Sequence, residues 1–290
     1  MDRRRFNHGS SCVLAGFEAL VRATLIGVQG LLGILGGFLL WPPLVNGQVD
    51  VGSIIRQSAE ANERDWVAVP EFDNSERDRN REGDKTYAVT ILYGSPYERL
   101  IAVNGRSLSP PRQKEEQGKY AKAVAERRQE SPSQRSRRVA RYQAERKRDH
   151  TLIQQMTSGF DFHLLGKQSL NGYSVYVLRA TPHPGYQPPD RDSKVLTGME
   201  GTLWIDQNTF QWVKVEAHVI HPVRIEGFLA VVEPGTKFEL EKRPIAHDIW
   251  LASRYSMKSN ARVMLLFPHR GEEEDSYFDY RKASETASDQ

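Results

Sequence analysis

The chain has 290 residues, 39% apolar and 27% charged, an ordinary soluble composition with enough apolar side chains for a real core. Its net charge of +3 is unevenly placed: thirteen Lys or Arg stand against six acids between Arg112 and Asp149, a local +7 that leaves the remainder at −4. The lone cysteine, Cys12, lies near the N-terminus, which excludes a disulfide framework or a cysteine-ligated metal in the rest of the chain.

Arg3-Arg4-Arg5 precedes an uncharged apolar run from Thr24 to Trp41, then Pro42-Pro43 and the small residues Val45-Asn46-Gly47. Residues 1–47 therefore read as a signal peptide or an N-terminal membrane anchor, the run being long for the first and near the lower limit for the second. Arginines come before the run and none immediately after it, so the chain from Gln48 onward is expected outside the cytoplasm, periplasmic or envelope-associated.

Val51 to Asn62 places Ile54, Ile55, Ala59 and Ala61 near one face and predicts a short amphipathic helix. Trp66 to Phe72, Thr86 to Tyr93 and Tyr97 to Val103 read as strands, with the polar SERDRNREGDK as a loop between the first two and Asn104-Gly105 as a turn. Residues 109–156 break the pattern. Glu, Lys, Arg, Gln and Ala dominate there, Ser131-Pro132-Ser133 interrupts, and two basic helices joined by a hinge are expected, with a thin apolar stripe of Val139, Tyr142, Leu152, Ile153 and Met156. Strands resume at Phe160 to Lys167 and Tyr173 to Ala180 around an Asn171-Gly172 turn, and Thr181 to Pro189, with four prolines, is an irregular loop.

Gly198 to Val219 reads as the hairpin at the centre of the sheet. Thr202 to Ile205 and Phe210 to Val219 are rich in β-branched and aromatic residues, and Asp206 to Thr209 supply turn chemistry. Val213, Val215, Ala217 and Val219 alternate with Lys214, Glu216 and His218, giving one oily face and one wet one. Further strands are expected at Val223 to Val232, Lys237 to Glu241, Ile249 to Met257, Ala261 to Pro268 and Ser276 to Arg281, and residues 283–290 as a disordered tail. Consecutive strands with helices confined to two places make an α+β protein of about ten antiparallel strands.

An exported chain with one early helix, strands, a helical insertion, more strands, and Gly-Thr-Leu-Trp-Ile-Asp followed by Phe-Gln-Trp-Val-Lys-Val-Glu is similar to the LolA-like superfamily. That group includes periplasmic lipoprotein carriers and sensor domains of the RseB kind. The resemblance covers Val51 to Lys282 in element order and Gly201 to Glu216 in residue pattern. It implies a curved antiparallel sheet, or half-open β-barrel, over residues 48–282, whose concave face is covered by helices and can hold acyl chains. The long basic insertion at 109–156 and the TPHPGYQPP loop set the chain apart from the carriers as a side branch, and no ligand-contact motif transfers residue by residue.

The chain has no GxSxG, P-loop or HExxH, and the hairpin pairs no nucleophile with a base, so neither catalysis nor a cofactor is expected. His218 and His221, three apart on or at the end of a strand, fall on opposite faces and cannot chelate one ion. His163, His183, His247 and His269 are scattered, and Glu272 to Asp275 reads as a solvated charged loop, so no metal site is expected. Trp204, Phe210, Trp212, Trp250 and Tyr255 are large enough to line a concave apolar surface and are the candidate ligand-binding residues. Trp204 and Trp212 fall opposite the aliphatic positions of their own strands, so an outward aromatic face for a partner or membrane stays open. Arg135, Arg137, Arg138 and Arg141 are the candidates for an anionic membrane surface, because the polyanions outside the cytoplasm are headgroups and envelope polymers, not nucleic acid. A solvated helical pair is the plain alternative. The expected function is non-catalytic binding of a lipid, acyl chain or lipidated protein in the envelope; the alternative is a structural or sensory envelope protein with a filled sheet interior.

Overall fold

The computed structural model describes residues 50–225, 230–263 and 267–284; the signal or anchor expected over 1–47 and the tail beyond Ser284 lie outside them. Three helices and thirteen strands are present among the described residues. Helix α1 (Val51–Ala68) leads through a 3-10 turn into β1 (Phe72–Asn80), β2 (Gly83–Leu92), β3 (Ser95–Val103) and β4 (Arg106–Ser107). The helical pair α2 (Pro110–Arg128) and α3 (Pro132–Gly159) follows, then β5 (Phe160–Leu170), β6 (Tyr173–Pro182), a 3-10 segment (Asp192–Gly198), β7 (Met199–Asp206) and β8 (Trp212–Val219). The chain ends with β9 (Val223–Arg224), β10 (Ala230–Val232), β11 (Lys237–Ala246), β12 (Ile249–Val263) and β13 (Phe267–Lys282).

All the pairings are antiparallel and join the strands into one open sheet of order β4-β3-β2-β1-β13-β12-β11-β8-β7-β6-β5, with β10 and β9 added beside β12. The α2–α3 pair is the connection between the two edge strands β4 and β5. Its sequence dictates its form: Pro110-Pro111 and Pro132 occupy first-turn positions where a missing N–H costs nothing, and Ser131 forms a reciprocal capping box with Gln134. The Asn104-Gly105 and Asn171-Gly172 turns take positive φ at both residues, as tight hairpins require.

Several expectations give way. Trp66 to Ala68 are the last turn of α1, not a strand, because the buried stripe Ile54, Ser58, Ala61, Asp65, Ala68 keeps helical spacing through the polar Asp65. The stretch read as a polar loop, SERDRN, is most of β1, and the acidic run Glu272 to Asp275 lies within β13. Each is held by ladders on both sides, so neither needed an apolar alternation of its own. Val223 to Val232 is split into two short strands, and the separate strands expected around Ala261 and Ser276 are the two long strands β12 and β13.

The β7–β8 hairpin lies toward the β5 edge instead of the centre. Its turn is fastened by Asp206, whose Oδ2 accepts from Asn208 N at 3.1 Å, Thr209 N at 2.8 Å and Thr209 Oγ1 at 2.9 Å. A β-bulge falls where Ile205 faces Trp212 but Trp204 faces Lys214. The extra residue, Val213, shifts the alternation. Trp212 thereby joins Val215, Ala217 and Val219 in the main core with Leu203 and Ile205, while Val213 packs elsewhere with Val175, Val177 and Trp250.

Candidate functional site

The C-terminal half of α3 lays Leu152, Ile153 and Met156 over the sheet, where the stripe noted in the sequence meets the main core. Between them is a cavity of about 60 Å³. Phe160, Val195, Leu196 and Met199 close one side, and Trp212, Ala217, Phe238, Leu240, Tyr255 and Met257 form the floor. Thr236 and Lys237 are the polar residues of a lining that is otherwise apolar. This space exceeds the roughly 10–15 Å³ that a single water needs and, being apolar, favours methylenes over water.

The five aromatic candidates divide. Trp212, 7% exposed, and Tyr255, 1% exposed, meet at the cavity; the bulge at Val213 turns Trp212 to the face that simple alternation denied it. Phe210, in the left-handed conformation at φ 58°, packs half-buried on the main core at the hairpin turn. Trp204 and Trp250 are not brought to the cavity. They join Val175, Val177 and Val213, with the Trp250 ring 4.8 Å from that of Tyr173 and Lys214 Nζ 5.7 Å from the centre of the Trp204 ring. The floor residues Phe238, Leu240 and Met257 were within reach of sequence reasoning, since they alternate along β11 and β12, but they carried no feature to separate them from ordinary core.

The basic residues divide as well. Arg127 is buried and donates to three carbonyls at the β2–β3 turn: Leu92 at 3.0 Å and Ser95 at 2.8 Å through Nη1, Pro96 at 3.0 Å through Nη2. Burial, reinforced by Arg138, pulls its guanidinium down to about 10. Arg138 grips Glu130 with two nitrogens at 2.8 and 2.6 Å and also reaches Ser95 Oγ and the Tyr93 carbonyl, holding the Glu130 carboxyl below its usual range. Arg135 lies over the Tyr93 ring at 5.1 Å, and the buried Arg146 lies over Trp66 at 4.7 Å while donating to its carbonyl. Arg127, Arg135 and Arg138 dock the helical pair on the β2–β3 turn, and Arg146 docks α3 on α1. Arg137 and Arg141 are exposed.

Histidines enter side-chain pairs that spacing did not reveal. His183 Nδ1 is 2.8 Å from Asp161, His218 Nε2 3.2 Å from Glu200, and the buried His150 is 2.6 Å from Glu63 while stacking on Trp66 at 4.2 Å. None of these pairs faces the cavity lining. No helix among the described residues is long and apolar enough to cross a membrane.

By sequence the chain matches no protein family and no curated protein. By structure it is similar to an outer membrane lipoprotein-sorting protein domain from Vibrio parahaemolyticus, at 19% identity and TM-score 0.25, over 43% of each chain. The chain thus spans less than half of that domain. A LolA superfamily protein from Nitrosomonas europaea is matched at 14% identity and TM-score 0.31, over 84% of this chain and 99% of that one. The MucA/MucB complex of Pseudomonas aeruginosa is matched at 10% identity and TM-score 0.22, over 78% and 99%. The element order on which the sequence resemblance rests is present among the described residues: one helix, four strands, a helical pair, then nine strands. At such scores the likeness is one of layout, and the site stands on its own residues.

Proposed function

We propose that this chain is a non-catalytic envelope protein, exported by its N-terminal segment, that takes a hydrophobic or amphiphilic ligand (an acyl chain, a lipid or a lipidated protein) between α3 and the sheet. The observation that carries this reading is the apolar seam under Leu152, Ile153 and Met156. Each methylene buried there gains about 0.8 kcal/mol, and the lining offers almost no polar group to orient a reacting substrate. A cavity of about 60 Å³ is small for a whole acyl chain, so a longer chain enters by lifting the C-terminal half of α3 while contacts of its N-terminal half, such as Arg138 with Ser95 and Arg135 with Tyr93, hold it on the sheet. The exposed Arg137 and Arg141 then stand on the same helix, available to an anionic headgroup or membrane.

Native mass spectrometry of detergent-free protein tests this, together with uptake of a fluorescent fatty acid by wild type and by Ala217→Trp, which fills the seam. A co-purifying acyl species, or uptake lost in Ala217→Trp, supports the reading. A dry protein that takes up nothing returns the chain to the second reading, a structural or sensory envelope protein. The small size of the cavity is the observation that favours that alternative.

A further inference from the structure

Two segments that looked like solvated loops meet as neighbouring strands, and their acids fall on one face. Glu76 and Asp78 alternate on β1, Glu273 and Asp275 alternate on β13, and Asp78 stands directly opposite Asp275. One carboxylate oxygen from each of Asp78, Glu273 and Asp275 lies within 4.8 Å of the other two. Behind them Glu76 is only 3% exposed, and its Oε2 is shut off from solvent with no hydrogen-bond partner.

We propose that Asp78, Glu273 and Asp275, with Glu76 behind them, form a binding site for a hard divalent cation, calcium being the best fit. Calcium takes oxygen ligands at about 2.3–2.6 Å, so two ligands of one ion stand no more than about 5 Å apart, and the three oxygens already satisfy that limit. The donors are all carboxylates, without the histidine or cysteine that zinc and copper prefer. Magnesium demands near-ideal octahedral geometry, which a set fixed by two strand backbones is poorly suited to supply; calcium tolerates irregular coordination.

Lys85 acts on Asp78, the Asn80 amide donates to Asp78 at 2.9 Å, and the Tyr277 hydroxyl donates to Asp275 at 3.4 Å. A buried carboxylate group of this kind takes up either a proton or a metal ion. The site adjoins Tyr255 and Met257, which stand opposite Asp275 and Glu273, but it does not depend on the seam accepting a ligand.

Calorimetric titration of the EDTA-stripped full chain with calcium, and melting curves with and without calcium, test the proposal. Wild type and Glu272→Gln, which alters an exposed acid paired with Lys258, are expected to release or absorb heat at one site and to melt higher with calcium. Asp78→Asn and Glu273→Gln are expected to lose the calcium-dependent shift whatever their own melting temperatures. Absence of heat and shift up to millimolar calcium overturns the proposal and leaves the group satisfied by protons. A shift retained in both Asp78→Asn and Glu273→Gln places any calcium elsewhere and overturns it too.

Discussion

Lys242 on β11 donates into the buried carboxylate of Asp65 on α1, 177 residues away in the chain. The same carboxylate accepts from Gln211 Nε2 at 3.0 Å and from the Trp250 backbone at 2.9 Å, and Lys242 also donates to Asn62 at 2.9 Å. One helix end is thereby fastened to the β7–β8 turn, to β11 and to the start of β12. Removing one partner of a buried ion pair leaves the other uncompensated, so Lys242→Met is expected to cost about 3 kcal/mol or more in urea unfolding. A loss under about 1 kcal/mol would show that water reaches Asp65 once the ammonium is gone.

Val215 is 1% exposed in the main core, and Val215→Asp is expected to cost on the order of 3 kcal/mol or more by burying an unpaired carboxylate. Lys214 is partly shielded, bonds Glu216 at 2.7 Å and Glu239 at 2.9 Å, and covers Trp204, so Lys214→Ala costs about 1 kcal/mol. A Cβ on Gly201 would stand 2.5 Å from the Glu216 carbonyl oxygen, and Gly201→Ala is expected to lose about 1–3 kcal/mol. Equal melting temperatures for the Val215 and Lys214 variants would contradict the assignment of faces.

Arg127→Met leaves three inward carbonyls without their donor and is expected to destabilise by roughly 3 kcal/mol. The double variant Arg137→Gln/Arg141→Gln should melt like wild type yet bind anionic vesicles more weakly, with the difference shrinking as salt rises. Sedimentation with vesicles at low and high salt reads this out. Unchanged vesicle binding would remove the basic face of α3 from the function.

Glu76 carries a pH signature. In protein stripped of cations its carboxyl stays protonated in the fold above 4.5, its ordinary value, because of burial and of Glu98 on β3, Asp275 and Glu273 on β13, and Asp78 on β1. The unfolded chain ionises first. The stability tied to this proton is therefore complete below about pH 4.5 and is lost as pH rises through the raised value. Glu76→Gln copies the protonated form, so in EDTA its melting temperature should equal that of wild type near pH 4 and exceed it increasingly toward pH 8. Melting curves that stay parallel across that range would mean that Glu76 ionises without penalty.

What could be read from the sequence was local. Asn104-Gly105, Asn171-Gly172 and Ser131-Pro132 announce turns and a helix start because φ preference and capping act within a few residues. Two kinds of feature escaped. SERDRN and EEED are strands without any apolar alternation of their own, the pairing that joins them spans 195 residues between Arg79 and Glu274, and only as strands do their acids share a face. The bulge at Val213 moved Trp212 across the sheet, which no period-two count contains, so a ring whose direction the alternation left open lines the seam. The helix expected to stop at Asn62 runs on through Asp65, because a carboxylate on a buried stripe makes sense only once Lys242 and Gln211 are beside it.

The place of β13 in the sheet governs the order in which the molecule can be assembled. Among the described residues, β1 to β4 join the ladder of the other strands only through this last strand, which brings Arg79 within 2.7 Å of Glu274 across 195 residues. Until β13 is available, the first four strands and β12 each present an unpaired edge, the kind of surface that recruits strands from other chains. Closing so long a loop is an entropic burden that falls before the pairing can repay it, so folding should be slow and its completion should wait for the C-terminal segment. A chain delivered across a membrane from its N-terminus would thus stay unfinished, and in need of protection from neighbouring chains, for almost the whole of its passage.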